Sequence, residues 1–88
     1  MMKHYVYIIQ SLIDQTYYKG YTTDYKRRLI EHNQGKSSYT SRKIPWKIIY
    51  VEEYDNKSDA LKREKSLKKC NMNYMRWLID QPTNILNK

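Results

Sequence analysis

The chain has 88 residues, with 17 Lys and Arg against 9 Asp and Glu, giving a formal net charge of +8. From that length the expectation is one domain without a second functional lobe. The single Cys70 excludes an internal disulfide and a multi-cysteine zinc site, and the longest apolar run, Tyr5 to Ile9, is too short for a bilayer span or a signal-peptide core. A cytoplasmic setting without membrane contact is the expectation. Ten tyrosines and two tryptophans supply the core area that the aliphatic residues lack, so the polar composition does not imply disorder. The charge is spread evenly: residues 1–54 carry nine basic and five acidic side chains and residues 55–88 carry eight and four, so each part nets +4. A folded unit with this field attracts polyanions, nucleic acid foremost.

In chain order, residues 4–10 (HYVYIIQ) are β-branched and aromatic and read as a strand. A turn around Asp14 leads into residues 16–22 (TYYKGYT), a second strand expected to pair antiparallel with the first. Gly20 inside that strand marks a bulge or a close approach by another group. Thr23 or Asp24 offers a helix cap, Tyr25, Leu29 and Ile30 give an apolar side at helical spacing, and Gly35 a stop. Residues 36–45 read as a polar, basic loop, and residues 46–54 as a third strand. Asn56 to Ser58 caps a second helix running to about Lys69, and a third helix, about Asn73 to Gln81, ends before Pro82. The expected architecture is α+β: a small three-stranded antiparallel sheet with helices packed on it, one domain over residues 1–88, with a core of about 4–80 and a tail at 82–88.

Several residues stand where a plain core would not put them. On the second helix, Ala60, Leu61 and Leu67 mark the apolar side, and Glu64 falls about 40° from Ala60, inside that stripe. A carboxylate there needs a basic partner or a metal ion. On the first helix, Arg28 and His32 are four residues apart and stack at the edge of the Tyr25–Leu29 stripe. A guanidinium fork suits two phosphate oxygens, and an imidazole can move a proton. Strand alternation puts Tyr5 and Tyr7 on one face of the first strand and Tyr18 and Gly20 on one face of the second.

Four separated blocks, spanning about residues 4–80, resemble the GIY-YIG nuclease superfamily. Tyr5-Val6-Tyr7 and Tyr18-Lys19-Gly20 are similar to its paired signature; Arg27-Arg28-Leu29 with Glu31-His32-Asn33 looks like its following helix, and Arg63-Glu64 like its metal-binding helix. The likeness is to small stand-alone bacterial members and to the catalytic module of structure-specific junction nucleases. It implies an endonuclease or nicking module hydrolysing DNA phosphodiester bonds with one Mg²⁺ or Mn²⁺, acting in DNA repair or recombination and only weakly in isolation. It also implies residue roles. Tyr7 would be the general base toward water and Tyr18 would position the water or the scissile phosphate. Arg28 would stabilise phosphate charge, His32 would assist proton transfer, Glu64 would hold the ion, and Gly20 would allow close packing. Two positions depart from the signature: Tyr5 stands where the family has Gly, and Lys19 where it has Ile.

Lys19, Arg27, Lys36, Tyr39, Arg42 and Lys43 offer cations and a stacking ring suited to contact with a nucleic-acid backbone. The alternative reading is a catalytically silent nucleic-acid-binding domain with the same fold. A protein partner supplying specificity is compatible with either reading.

Overall fold

The computed structural model describes residues 2–88. Its elements are β1 (His4–Ser11), β2 (Tyr17–Thr22), α1 (Tyr25–Asn33), a 3-10 turn (Thr40–Lys43), β3 (Trp46–Tyr54), α2 (Lys57–Leu67), α3 (Met72–Ile79) and a closing 3-10 turn (Ile85–Asn87). The strands form one antiparallel sheet in the order β2-β1-β3. Among the described residues no helix is long and apolar enough to cross a membrane.

The central strand explains the layering. Val6, Tyr7, Ile8 and Ile9 are all buried because β1 is covered on both faces, which a continuous apolar run requires. Val6 and Ile8 join Tyr50, Ala60, Leu67, Met75 and Leu78 beneath α2 and α3. Tyr7 and Ile9 join Trp46 and Val51 on the opposite face, where Tyr25 and Leu29 of α1 pack. Each helix begins at a side-chain cap: Asp24 accepts from the Arg27 amide at 3.1 Å, Asn56 from Asp59 at 2.8 Å and Asn71 from Tyr74 at 2.9 Å.

Three expectations are corrected. Ile30 and Leu61 are 56% and 39% exposed, whereas His32 is fully buried, so α1 turns His32 inward instead of leaving it at a stripe edge. The 36–45 segment is not wholly loop: Thr40 is buried and opens a 3-10 turn. Residues 82–88 fold back onto β3 through the buried Asn84. Its side chain accepts from the Val51 amide at 3.1 Å and donates to the Ile49 and Ile79 carbonyls at 3.0 and 2.9 Å. The β1–β3 register skips Ile49, and Asn84 supplies the partner that this edge lacks.

Candidate active site

The site is built where β1, β2 and α1 meet. Tyr7 pairs with Gly20 across the β1–β2 ladder, and the Tyr7 ring lies over the glycine. A Cβ at position 20 would stand 2.5 and 2.8 Å from Cζ and Cε1 of that ring. The ring cannot swing aside without exposing a side chain that is 2% exposed and breaking its 2.8 Å hydrogen bond to Nε2 of His32. Gly20→Ala is therefore expected to cost about 1–3 kcal/mol, read as a lower urea midpoint at unchanged slope. The loss should shrink in a Tyr7→Leu background, where the steric conflict is gone.

His32 uses both ring nitrogens. Nε2 meets the Tyr7 hydroxyl, and Nδ1 meets the Thr40 hydroxyl at 2.8 Å. The Thr40 carbonyl in turn accepts from the Trp46 indole at 2.9 Å, and Asn33 ties α1 to β3 by bonding the Trp46 amide at 2.7 Å. Thr40 is the member that sequence reasoning did not single out; its only signal is a threonine within a loop. Tyr18 completes the cluster, its ring centroid 6.4 Å from that of Tyr7 and 5.2 Å from that of His32. Tyr5 turns toward α1 and packs edge-on against Tyr25 at 5.0 Å. Its replacement of glycine is absorbed outside the Tyr7–Gly20 contact.

Charge at the site follows from burial. Burial pushes the Tyr7 phenol up to about 12, with Tyr18 adding to the rise, Arg28 opposing it and the Glu64 carboxylate raising it further. Burial also pushes His32 down to about 4, helped by the like charge of Arg28 and opposed by Glu31. At neutral pH the pair is a neutral phenol beside a neutral imidazole. Arg28 is braced by Glu31 at 3.1 Å and keeps 30% of its side chain exposed. Glu64 is 20% exposed and pairs with Lys68 at 3.5 Å, so its position on α2 is met by a lysine one turn on. The buried carboxylate under α2 is instead Glu52 of β3, held by Arg63.

The basic positions divide. Arg27, Lys36 and Arg42 are exposed, with Arg27 3.3 Å from Glu31. Lys43 binds Asp14 at 2.9 Å and braces the 3-10 turn against the β1–β2 connection. Lys19 is half-buried on the other side of β2, and burial lowers its ammonium. Tyr39 is exposed beside Tyr18.

Among the described residues no three His, Cys, Asp or Glu side chains converge as a metal cage. A candidate donor is the single carboxylate of Glu64, a hard oxygen ligand that is paired with Lys68 at 3.5 Å. That fits a largely hydrated Mg²⁺ or Mn²⁺ taking its remaining ligands from water and phosphate, and does not fit zinc.

The family model described as the GIY-YIG catalytic domain matches residues 3–75. A UPF0213 protein of Staphylococcus saprophyticus subsp. saprophyticus is 44% identical over 69 residues, covering 77% of this chain and 83% of the relative. A UPF0213 protein of Halobacterium salinarum is 46% identical over 66 residues, covering 74% and 84%. The solution NMR structure of a UPF0213 protein from Bacillus halodurans superposes with a TM-score of 0.59 at 30% identity, over 97% of this chain and 90% of that one. With the signature tyrosines, the glycine, the arginine and the glutamate on the elements described above, the chain belongs to the GIY-YIG family, a nuclease superfamily, and is similar along most of its length to the UPF0213 proteins.

Proposed function

We propose that the protein is a divalent-cation-dependent endonuclease or nicking module that hydrolyses DNA phosphodiester bonds. The observation carrying this reading is the packing of the Tyr7 ring over Gly20, with its buried hydroxyl 2.8 Å from Nε2 of His32 and its ring centroid 6.4 Å from that of Tyr18. With burial raising the phenol to about 12 and lowering the imidazole to about 4, the pair stays neutral at rest near pH 7. Tyr7 therefore acts in a relay. With Nδ1–H donated to Thr40, Nε2 accepts the phenol proton while the phenol oxygen takes one from the attacking water. Tyr18, at the rim, orients that water or the phosphate. Arg28 turns from Glu31 to the phosphate, where its fork meets the charge that develops. Glu64 would hold Mg²⁺ or Mn²⁺, which when bound would supply positive charge to the scissile phosphate.

The test is a cleavage screen of branched, flapped, single-stranded and duplex DNA with Mn²⁺, run beside Glu64→Gln and Arg28→Ala. Strand cutting is expected from the unaltered protein, and each variant should lower it about a hundredfold while thermal unfolding changes little. DNA binding with no cutting of any substrate would overturn the reading in favour of a silent binding domain.

A further inference from the structure

Tyr39 is a large aromatic residue left exposed at the rim of the site, bordered by the Tyr18 ring and the Lys43 ammonium. Its side chain is 57% exposed, although the backbone beside it is fixed. Thr40 is buried, bonded to His32 through its hydroxyl and to Trp46 through its carbonyl, and Ser41 donates to the Ser37 carbonyl at 2.9 Å. Lys43 anchors the far end of the turn to Asp14 and sets its ammonium 5.9 Å from the Tyr39 ring centroid. The ring is thus held out into solvent, 6.0 Å from the Tyr18 ring and tilted 31° to it. Open cavities of about 470 Å³ lie on two sides of it, one shared with Thr16, Lys19 and Met72 and the other with Arg42 and Lys43.

We propose that Tyr39 is a stacking platform for an unpaired DNA base next to the scissile phosphate, so that the substrate presents a single-stranded nucleotide at the site. This rests on the phosphodiester reading above for where the phosphate lies. In a duplex each base face is covered by its neighbours, and a ring approaching from outside meets only backbone and groove edges. An unstacked base offers a free face, and an exposed aromatic ring flanked by cations binds it in a sequence-tolerant way. Lys43 and Arg42 border the ring, and the net charge of +8 matches a polyanionic strand.

The test is binding in EDTA, which separates recognition from cutting. A short DNA strand carrying 2-aminopurine, its duplex, and an RNA strand of the same sequence are titrated at one fixed salt concentration with the unaltered protein, Tyr39→Ala and Tyr39→Trp. The fluorophore should be quenched on binding. Tyr39→Ala should weaken single-strand binding about tenfold and leave the duplex within about twofold, and Tyr39→Trp should retain the strand. An equal loss on strand and duplex, no loss on the strand, or a preference for RNA would overturn the proposal. Strand selectivity without cleavage under Mn²⁺ would remove the nuclease reading and leave the platform standing. Cleavage with Tyr39→Ala indistinguishable in binding would do the opposite.

Discussion

Replacing Arg63 by Ala is expected to lower the unfolding free energy at pH 7 by about 3–5 kcal/mol. Glu52 is 5% exposed, and its carboxylate receives Arg63 Nε at 3.0 and 3.1 Å and a guanidinium nitrogen at 3.0 Å. Tyr50 and Tyr54 also donate their hydroxyls to it. Removing the guanidinium leaves two phenols facing a buried charge without a countercharge, and for a domain whose total stability is about 5–15 kcal/mol that is a large fraction. The double variant Glu52→Leu, Arg63→Met should lose less than Arg63→Ala alone, because no orphaned charge remains. Urea unfolding followed by tyrosine and tryptophan fluorescence measures both. If Arg63→Ala lost less than about 1 kcal/mol, the pair would be no more than a surface contact. The consequence reaches the candidate site because Arg63 immediately precedes Glu64: the ion pair anchors to β3 the turn of α2 that carries the carboxylate.

The strands and helix starts are legible in the sequence because their signals are local. A β-branched and aromatic run covered on both faces makes β1, and Asp24 and Asn56 cap helices within three residues of themselves. Alternation puts Tyr5 with Tyr7 on one face of β1 and Tyr18 with Gly20 on one face of β2, and the Tyr7–Gly20 register then brings both sets to one side of the sheet, where the Tyr7 and Tyr18 rings lie 6.4 Å apart. What stayed hidden depends on partners distant in the chain. Thr40 is buried because His32, eight residues earlier, brings Nδ1 to it. Asn84 is buried because an irregular stretch of β3 more than thirty residues away exposes a carbonyl and an amide. The inward turn of His32 and the outward turn of Leu61 and Ile30 depart from a helical wheel that rests on few apolar residues. Over helices of nine and eleven residues such a stripe sets the phase poorly, and a histidine with two hydroxyl partners outweighs an isoleucine for the buried place.

Between pH 6.5 and pH 4 the protein is expected to lose about 3 kcal/mol of stability through His32. The imidazole titrates near 6.5 in the unfolded chain and near 4 when folded, because burial and then Arg28 disfavour its charged form, with Glu31 opposing. In that window the unfolded state binds a proton that the folded state refuses, so unfolding gains as the pH falls. Stability from this group is complete above about 6.5 and is lost by about 4, and the gap converts at about 1.4 kcal/mol per pH unit. Glu31, Asp14 and Asp55 are held below the usual carboxylate range by Arg28, Lys43 and Lys3, so their losses fall at lower pH and are weakened by solvent exposure. Urea unfolding at pH 7, 5.5 and 4 should therefore show a steep decline for the unaltered protein and a shallower one for His32→Gln, whose side chain does not titrate. Parallel declines would mean that His32 takes up its proton equally in both states. A histidine that remains neutral down to about pH 4 keeps Nε2 able to accept from Tyr7 throughout the neutral range, so the burial that makes the fold acid-sensitive also suits the proton relay proposed above.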